Sequence, residues 1–247
     1  MASAPEVVVL ADAATLADRA AQSIVEIAAE AVAARGRVML ALAGGETPRR
    51  TYARLAASPR REAMPWGNAF VFFGDERCVP HDHVDSNFRM ARETLLDQVP
   101  LPPGRVFAMP AAAEDPDVGA AAYGRVLTEA FGLRRGQSPR FDLVLLGMGL
   151  DGHTASLFPG SPVLKEIFRP VAGVHAAAAA IPQRITLTLP VLNAAANVLF
   201  LVSGAEKAKA VKAVLGERAP LPAAMVQPEK GRLVWMLDHA AAALLRR

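Results

Sequence analysis

Residues 38–48 read Val-Met-Leu-Ala-Leu-Ala-Gly-Gly-Glu-Thr-Pro, a compact apolar run that stops at two glycines and restarts on a helix-start signal. Unbroken apolar runs of this length suit parallel strands buried on both faces. The two glycines permit a tight turn, Thr47 can serve as N-cap, and Pro48 fits the first helical position. The same grammar recurs three times along the chain. Phe70–Phe73 leads into Gly74-Asp-Glu-Arg77, Leu143–Leu146 into Gly147-Met-Gly-Leu-Asp-Gly-His-Thr154, and Val198–Val202 into Ser203-Gly-Ala-Glu-Lys207.

Helical patterns separate these runs. From Asp12 to Arg35, residues Leu16, Ala20, Ile24, Ile27, Ala31 and Ala34 recur at spacings of three and four, which marks one face of an amphipathic helix. Further helices are predicted over residues 48–57, 86–96, 115–130 and 205–215. The alternation predicts an α/β fold built on a doubly wound, mostly parallel sheet with helices on both faces. Leu233–Leu237 adds a strand, followed by a helix capped by Asp238. The uncharged window between Arg184 and Glu206 is interrupted by Pro190, Asn193 and Asn197, so it reads as two strands around a short turn rather than a membrane span. Connecting loops are short, the Ala176–Ala180 run reads as a small-residue connector, and one domain over residues 1–247 is expected.

Composition narrows the function. With 27 basic and 24 acidic residues the net charge is only +3, and two Trp and two Tyr leave little aromatic surface for stacking bases, so nucleic acid is not expected as a partner. The start of the chain has no basic segment ahead of its short apolar run, unlike a secretory signal. A lone Cys78 cannot form an internal disulfide, which fits a reducing, cytoplasmic setting. A monomer or weak homo-oligomer is expected, without a membrane partner.

The chemistry lies after the apolar runs. In an open parallel sheet all four segments leave the carboxyl ends of strands, where ligands bind near a switch point. Free amides at Gly44, Gly45 and Thr47, with the positive end of the following helix, suit an anion, and Arg77 and Lys207 supply cations to neutralise a phosphate. His153 sits between glycines in an exposed loop, where an imidazole can act as a general base. Either Asp75 or Asp151 can hold its second nitrogen. His81, Asp82, His83 and Asp85 form a weak metal-like cluster that no second His or Cys pair completes, so no metal is expected. Cys78 reads as a small, partly buried residue, and without a G-x-S-x-G elbow a serine hydrolase has no anchor.

Taken in order, LALAGGETPRRTY, FFGDERCVPHDHVDSNFRMARETLL, FDLVLLGMGLDGHTASLFPGSP, RITLTLPVLNAA, SGAEKAKAV and VWMLDHAAA resemble the 6-phosphogluconolactonases, over nearly the whole chain. That resemblance implies a Rossmann-like fold of the sugar-phosphate isomerase/deaminase type. It also implies hydrolysis of 6-phospho-D-glucono-1,5-lactone in the oxidative pentose phosphate pathway, with no metal or organic cofactor. Gly44, Gly45 and Thr47 then become the phosphate loop, Arg77, Arg184 and Lys207 its cationic partners, and His153 the base that activates water. Asp75 and Asp151 flank the reacting carbon. Two alternatives remain open: an amino-sugar phosphate deaminase or isomerase, and a sugar-phosphate sensor without turnover. After Gly152-His153 the deaminase branch carries an acid-bearing segment, where this chain reads Thr154-Ala-Ser-Leu-Phe-Pro159.

Overall fold

The five residues Val38–Leu42 are all buried, as the run of apolar side chains requires when helices cover both faces of a strand. In the computed structural model, which describes residues 4–112, 115–134, 136–177 and 179–245, this segment is β2 of a six-stranded sheet. Its companions are β1 (Glu6–Leu10), β3 (Ala69–Phe73), β5 (Leu143–Leu146), β8 (Asn197–Val202) and β9 (Arg232–Asp238), in the spatial order β1-β9-β8-β5-β2-β3. Every neighbouring pair is parallel. The chain steps from β2 to β3 in one direction and from β5 to β8 in the other, which places the switch point between β2 and β5.

A second sheet of three antiparallel strands, β4 (Asp75–Arg77), β6 (Val171–His175) and β7 (Gln183–Leu187), runs in the order β4-β7-β6. Gly74 is the seam between the two sheets. Its amide donates to the Leu42 carbonyl in the large sheet, and its carbonyl accepts from the Leu187 amide in the small one, each at 2.8 Å.

Helices α1 (Ala13–Arg35), α2 (Glu46–Leu55), α3 (Arg60–Ala63), α4 (Asn87–Thr94), α5 (Pro116–Phe131), α6 (Leu189–Ala194), α7 (Ala208–Val211) and α8 (Pro222–Met225) complete the fold. On α1, Leu16, Ala20, Ile24 and Ala31 are buried and Ile27 partly so. Ala34 is exposed, because the helix ends two residues later at Gly36, which closes it in the left-handed conformation at φ 71°. One contiguous apolar cluster joins α1, α2, α5 and the strands of both sheets. Among the described residues no helix is long and apolar enough to cross a membrane.

Three local expectations are corrected. Between Arg184 and Glu206 the two strands β7 and β8 are joined by a short helix, α6, rather than a turn; Pro190 stands in its first turn, where a missing N–H costs nothing. The region after Asp238 forms turns over residues 239–245 rather than a helix. Asp238 does accept the Ala241 amide at 2.7 Å, but a segment under two turns long returns too few hydrogen bonds to offset the cost of nucleation. The expected 205–215 helix is broken into a 3₁₀ turn (Ala205–Lys207), α7 and a π turn (Lys212–Gly216). The alanine run links β6 to β7, and its residue 178 lies outside the described residues.

Candidate active site

The carboxyl ends of β2, β3, β5 and β8 open into one cavity of about 580 Å³. Gly44, Gly45, Thr47, Asp75, Arg77, His153, Arg184 and Lys207 all line it. Asp151 does not; it stands behind the histidine. Segments more than 160 positions apart in sequence (44 to 207) therefore meet on one rim, as the parallel order dictates.

At β2 the cradle differs in one detail from expectation. The residue preceding α2 is Gly45, at φ 102° and ψ 170°, and no side chain caps the helix. Thr47 is the second helical residue, not the N-cap, because a glycine that readily adopts this extended, positive-φ entry lets the helix begin at Glu46. The amides of Glu46 and Thr47 are among those at a helix start that have no partner within the helix, and they flank the cavity. The turn is held from below by Tyr52, whose buried hydroxyl accepts from the Ala43 amide at 2.9 Å and donates to the Ala43 carbonyl at 2.8 Å. Burial pushes the Tyr52 phenol far above its usual range, so it stays protonated and keeps both bonds.

His153 Nδ1 lies 2.6 Å from Asp151 Oδ1, and the same oxygen accepts the His153 amide at 3.1 Å. Burial raises the Asp151 carboxyl, but hydrogen bonds from the His153 amide and ring, with the charge of that ring, outweigh it and leave the pKa lowered. A carboxylate only accepts; Nδ1 therefore carries the proton, and Nε2 keeps the lone pair a base needs. Gly149 makes this pairing possible. A Cβ there would fall on His153 Nδ1 and Asp151 Oδ1. The alternative orienter, Asp75, is committed elsewhere: Ser156 Oγ donates to its Oδ2 at 2.7 Å, and Asn87 Nδ2 approaches its Oδ1 at 3.3 Å.

Two cations on the rim are held by neutral groups, Arg77 by the Asn87 side chain and the Asp85 carbonyl and Arg184 by the Ile181 carbonyl, while a third, Lys207, projects from the β8 loop. Among the described residues Arg77, Arg184 and Lys207 have no carboxylate oxygen within 4.0 Å, whereas Arg50, also on the rim, is paired with Glu46 at 3.0 Å. Arg77 and Arg184 sit directly opposite each other on β4 and β7. Two like charges at such a register position repel, and an anion between them relieves the cost. Burial lowers the Arg184 pKa, with the Asp75 charge opposing. The guanidinium lies 5.6 Å from the centre of the Phe158 ring, whose centre is 4.5 Å from that of His153.

A family model described as glucosamine-6-phosphate isomerases/6-phosphogluconolactonase matches residues 11–235. The chain belongs to this family. It is 42% identical to the 6-phosphogluconolactonase of Synechocystis sp., over 98% of this chain and 99% of that protein. It is also 42% identical to the Homo sapiens 6-phosphogluconolactonase, over 86% of this chain and 82% of that one. Among solved structures, a 6-phosphogluconolactonase from Trypanosoma cruzi superposes with a TM-score of 0.88 at 30% identity, covering 100% of this chain and 99% of the other. A monomeric glucosamine-6-phosphate deaminase, 22% identical with a TM-score of 0.79, shares the fold.

Within this member of the lactonase/isomerase family, several site residues carry no local sequence signal. Ser156, Asn87 and Phe158 act across the chain. Asp238, at the end of β9, accepts from Ser203 Oγ at 2.5 Å and from the Gly204 amide at 3.1 Å, which fixes the β8 loop that carries Lys207. Glu76, buried beside Asp75, accepts the amides of Arg77, Asn87 and Phe88, each at 2.8 Å, and the Ser86 hydroxyl at 3.0 Å. The GDER motif exposed all four residues to inspection, but only the contacts separate the acid facing the cavity from the acid holding α4. The metal-like cluster is used otherwise: His81 Nε2 meets the Met109 carbonyl at 2.8 Å, and the Asp85 amide donates to His83 Nδ1 at 3.2 Å. Burial, reinforced by the Glu76 charge, pushes the Cys78 thiol up to about 11, which leaves it a poor nucleophile at neutral pH.

Proposed function

We propose that this protein is a 6-phosphogluconolactonase, hydrolysing 6-phospho-D-glucono-1,5-lactone to 6-phosphogluconate as a step of the oxidative pentose phosphate pathway. The observation that carries the reading is that His153, paired with Asp151 behind it, shares one cavity with Arg77, Arg184 and Lys207, which among the described residues lack carboxylate partners. The phosphate binds the Gly44–Gly45 turn, the start of α2, Arg77, Arg184 and Lys207. Anchoring that end holds the lactone carbonyl beside His153, and the entropy of encounter is met in binding rather than in the chemical step.

His153 Nε2 takes a proton from water as the water oxygen bonds to the carbonyl carbon. Asp151 steadies the imidazolium that forms. Collapse of the tetrahedral intermediate breaks the bond from that carbon to the ring oxygen, and His153 returns the proton to the departing alkoxide. A lactone is an activated ester, so a positioned base contributing ~10²–10⁴ in rate suffices without a covalent nucleophile. Asp75, held by Ser156 and Asn87, offers a fixed negative wall near the substrate hydroxyls. All these residues come from one chain, so the reading requires no second copy.

The test is hydrolysis of freshly prepared phosphorylated lactone, corrected for spontaneous opening. The wild-type protein accelerates it, and His153→Ala removes most of the acceleration while phosphate-ester binding survives. Equal rates with and without protein would overturn the assignment; release of ammonia from glucosamine-6-phosphate instead would move the chain to the other branch of its family.

A further inference from the structure

Asn87 is the first residue of α4, only 2% exposed, and it is not the helix cap. That task falls to Ser86, whose Oγ accepts the Arg89 amide at 3.1 Å. The Asn87 side chain is therefore free for other work. Its Nδ2 donates to the Asp75 carbonyl at 2.9 Å and faces Asp75 Oδ1 at 3.3 Å, while its Oδ1 accepts from Arg77 Nη1. Flipping the amide would set NH₂ against a guanidinium and a carbonyl oxygen against a carboxylate, so its orientation is unambiguous. The main chain of Asn87 is pinned by Glu76 Oε1 at 2.8 Å. Gly44, in the proposed phosphate turn, leaves the room: a Cβ there would overlap the Asn87 amide.

Resting on the function proposed above, we infer that Asn87 is a positioning residue that keeps Arg77 and Asp75 from pairing with each other. A guanidinium and a carboxylate two residues apart at a partly dehydrated cavity attract far more strongly than they do in bulk water. Left together, they form an internal ion pair, and the phosphate loses a cation while the acid loses its place. The neutral amide satisfies each with a hydrogen bond and neutralises neither. Arg77 Nη1 has the Asp85 carbonyl at 3.1 Å as its other acceptor, again uncharged. The guanidinium is thus oriented entirely by dipoles and retains its full charge for an incoming dianion.

The experiment measures inorganic phosphate affinity, with thermal melts as a check on folding, in the wild type, Arg77→Ala, Asp75→Asn, Asn87→Ala, Asn87→Asp and the double variant Asn87→Ala/Asp75→Asn. Wild-type protein binds phosphate and Arg77→Ala weakens it; no binding by the wild type would sink the anchor itself, and this inference with it. Asn87→Ala weakens phosphate about tenfold, the size expected when roughly 1.4 kcal/mol of anchoring is lost. Asp75→Asn in that background restores affinity to within about threefold, because the competing carboxylate is gone. Asn87→Asp, which keeps the shape but adds a charge, weakens phosphate at least as much by pairing with Arg77 itself; should the alanine variants fail to fold, Asn87→Ser with and without Asp75→Asn makes the same comparison. A merely structural asparagine predicts a lower melting temperature and additive effects, with Asp75→Asn raising affinity by the same factor whether or not Asn87 is present; the separating role predicts a larger gain in its absence. Unchanged phosphate affinity in Asn87→Asp, or a loss in Asn87→Ala that Asp75→Asn leaves in place, overturns the proposal.

Discussion

Substituting Asp151 separates charge from geometry at His153, the proposed general base. One oxygen, Oδ1, receives both the His153 ring at 2.6 Å and the His153 amide at 3.1 Å. An asparagine that keeps its carbonyl oxygen in that place preserves both bonds and the Nδ1–H tautomer, and loses only the negative charge. A hydrogen bond to a charged group contributes ~1.5–3 kcal/mol, against ~0.5–1.5 for a neutral one. The difference, about 1–1.5 kcal/mol, corresponds to a five- to tenfold fall in kcat at 1.36 kcal/mol per decade. Alanine removes the whole interaction and lowers kcat by roughly 10–150-fold. Because the Asp151 side chain is 50% exposed, solvent screening pulls both values toward their lower ends. Steady-state kinetics on the phosphorylated lactone, corrected for spontaneous hydrolysis, give the two numbers, with KM unchanged because Asp151 does not line the cavity. Equal losses for Asn and Ala, or a rise in KM at constant kcat, would refute the argument.

Three further outcomes follow from the same contacts. Gly149→Ala drives a methyl into the His153–Asp151 pair and lowers kcat by ~10²-fold, since misplacement of a catalytic group by about 1 Å costs that much; a near-native kcat contradicts the close approach. Tyr52→Phe leaves the amide and carbonyl of Ala43 buried without their partner, and at ~1–3 kcal/mol per orphaned group it lowers unfolding free energy by about 2–6 kcal/mol in denaturant titrations; an unmoved midpoint argues against the clamp. Burial raises the Glu76 carboxyl despite the Asn87, Phe88 and Arg77 amides that lower it. Because the folded value lies above the unfolded one, its stabilising contribution is complete below the ordinary Glu range and is lost as pH rises through the folded value. Glu76→Gln removes that component, so the stability difference between wild type and variant narrows as pH climbs from 4 to 7; a gap independent of pH refutes the linkage.

What the sequence revealed and what it hid divide along a physical line. Strands buried on both faces carry continuous apolar runs, so β2, β3, β5, β8 and β9 were legible within a residue at each end. β1, EVVVL, is an edge strand with exposed Val7 and Val9, and β4, only Asp75-Glu-Arg77, is too short and polar to announce itself. Of the small sheet only β7 was anticipated, as the first of the two strands read after Arg184; β4 and β6 went unread, and the seam at Gly74 with them. Likewise the glycine-rich loops, Arg77, Lys207 and His153 were visible because each sits in a local motif, whereas Arg184 was reached only through the family resemblance. Ser156, 81 residues from Asp75, and Asp238, 35 residues from Ser203, hold the site through partners that no window of sequence contains. Thr47 was misplaced by two residues because cap preference favours a hydroxyl, whereas the backbone entry at Gly45 decides where the helix begins.

Among the described residues β1 sits at one border of the large sheet and pairs with β9 alone, with Glu6 aligned to Val234 and Leu10 to Asp238. On a ribosome, β1 emerges before every other described strand of this sheet and must wait for β9, the last of them, before it can close its ladder. Until then α1 has a floor only under the part of its apolar stripe that meets β2, and the Ser203–Gly204 loop lacks the carboxylate that later pins it. The binding rim thus matures late: a nascent chain stopped short of Asp238 holds the glycine turn and the histidine loop, yet lacks the anchor for the segment bearing Lys207. Arrival of β9 thus serves two ends at once, closing the ladder to β1 and pinning the loop ahead of Lys207.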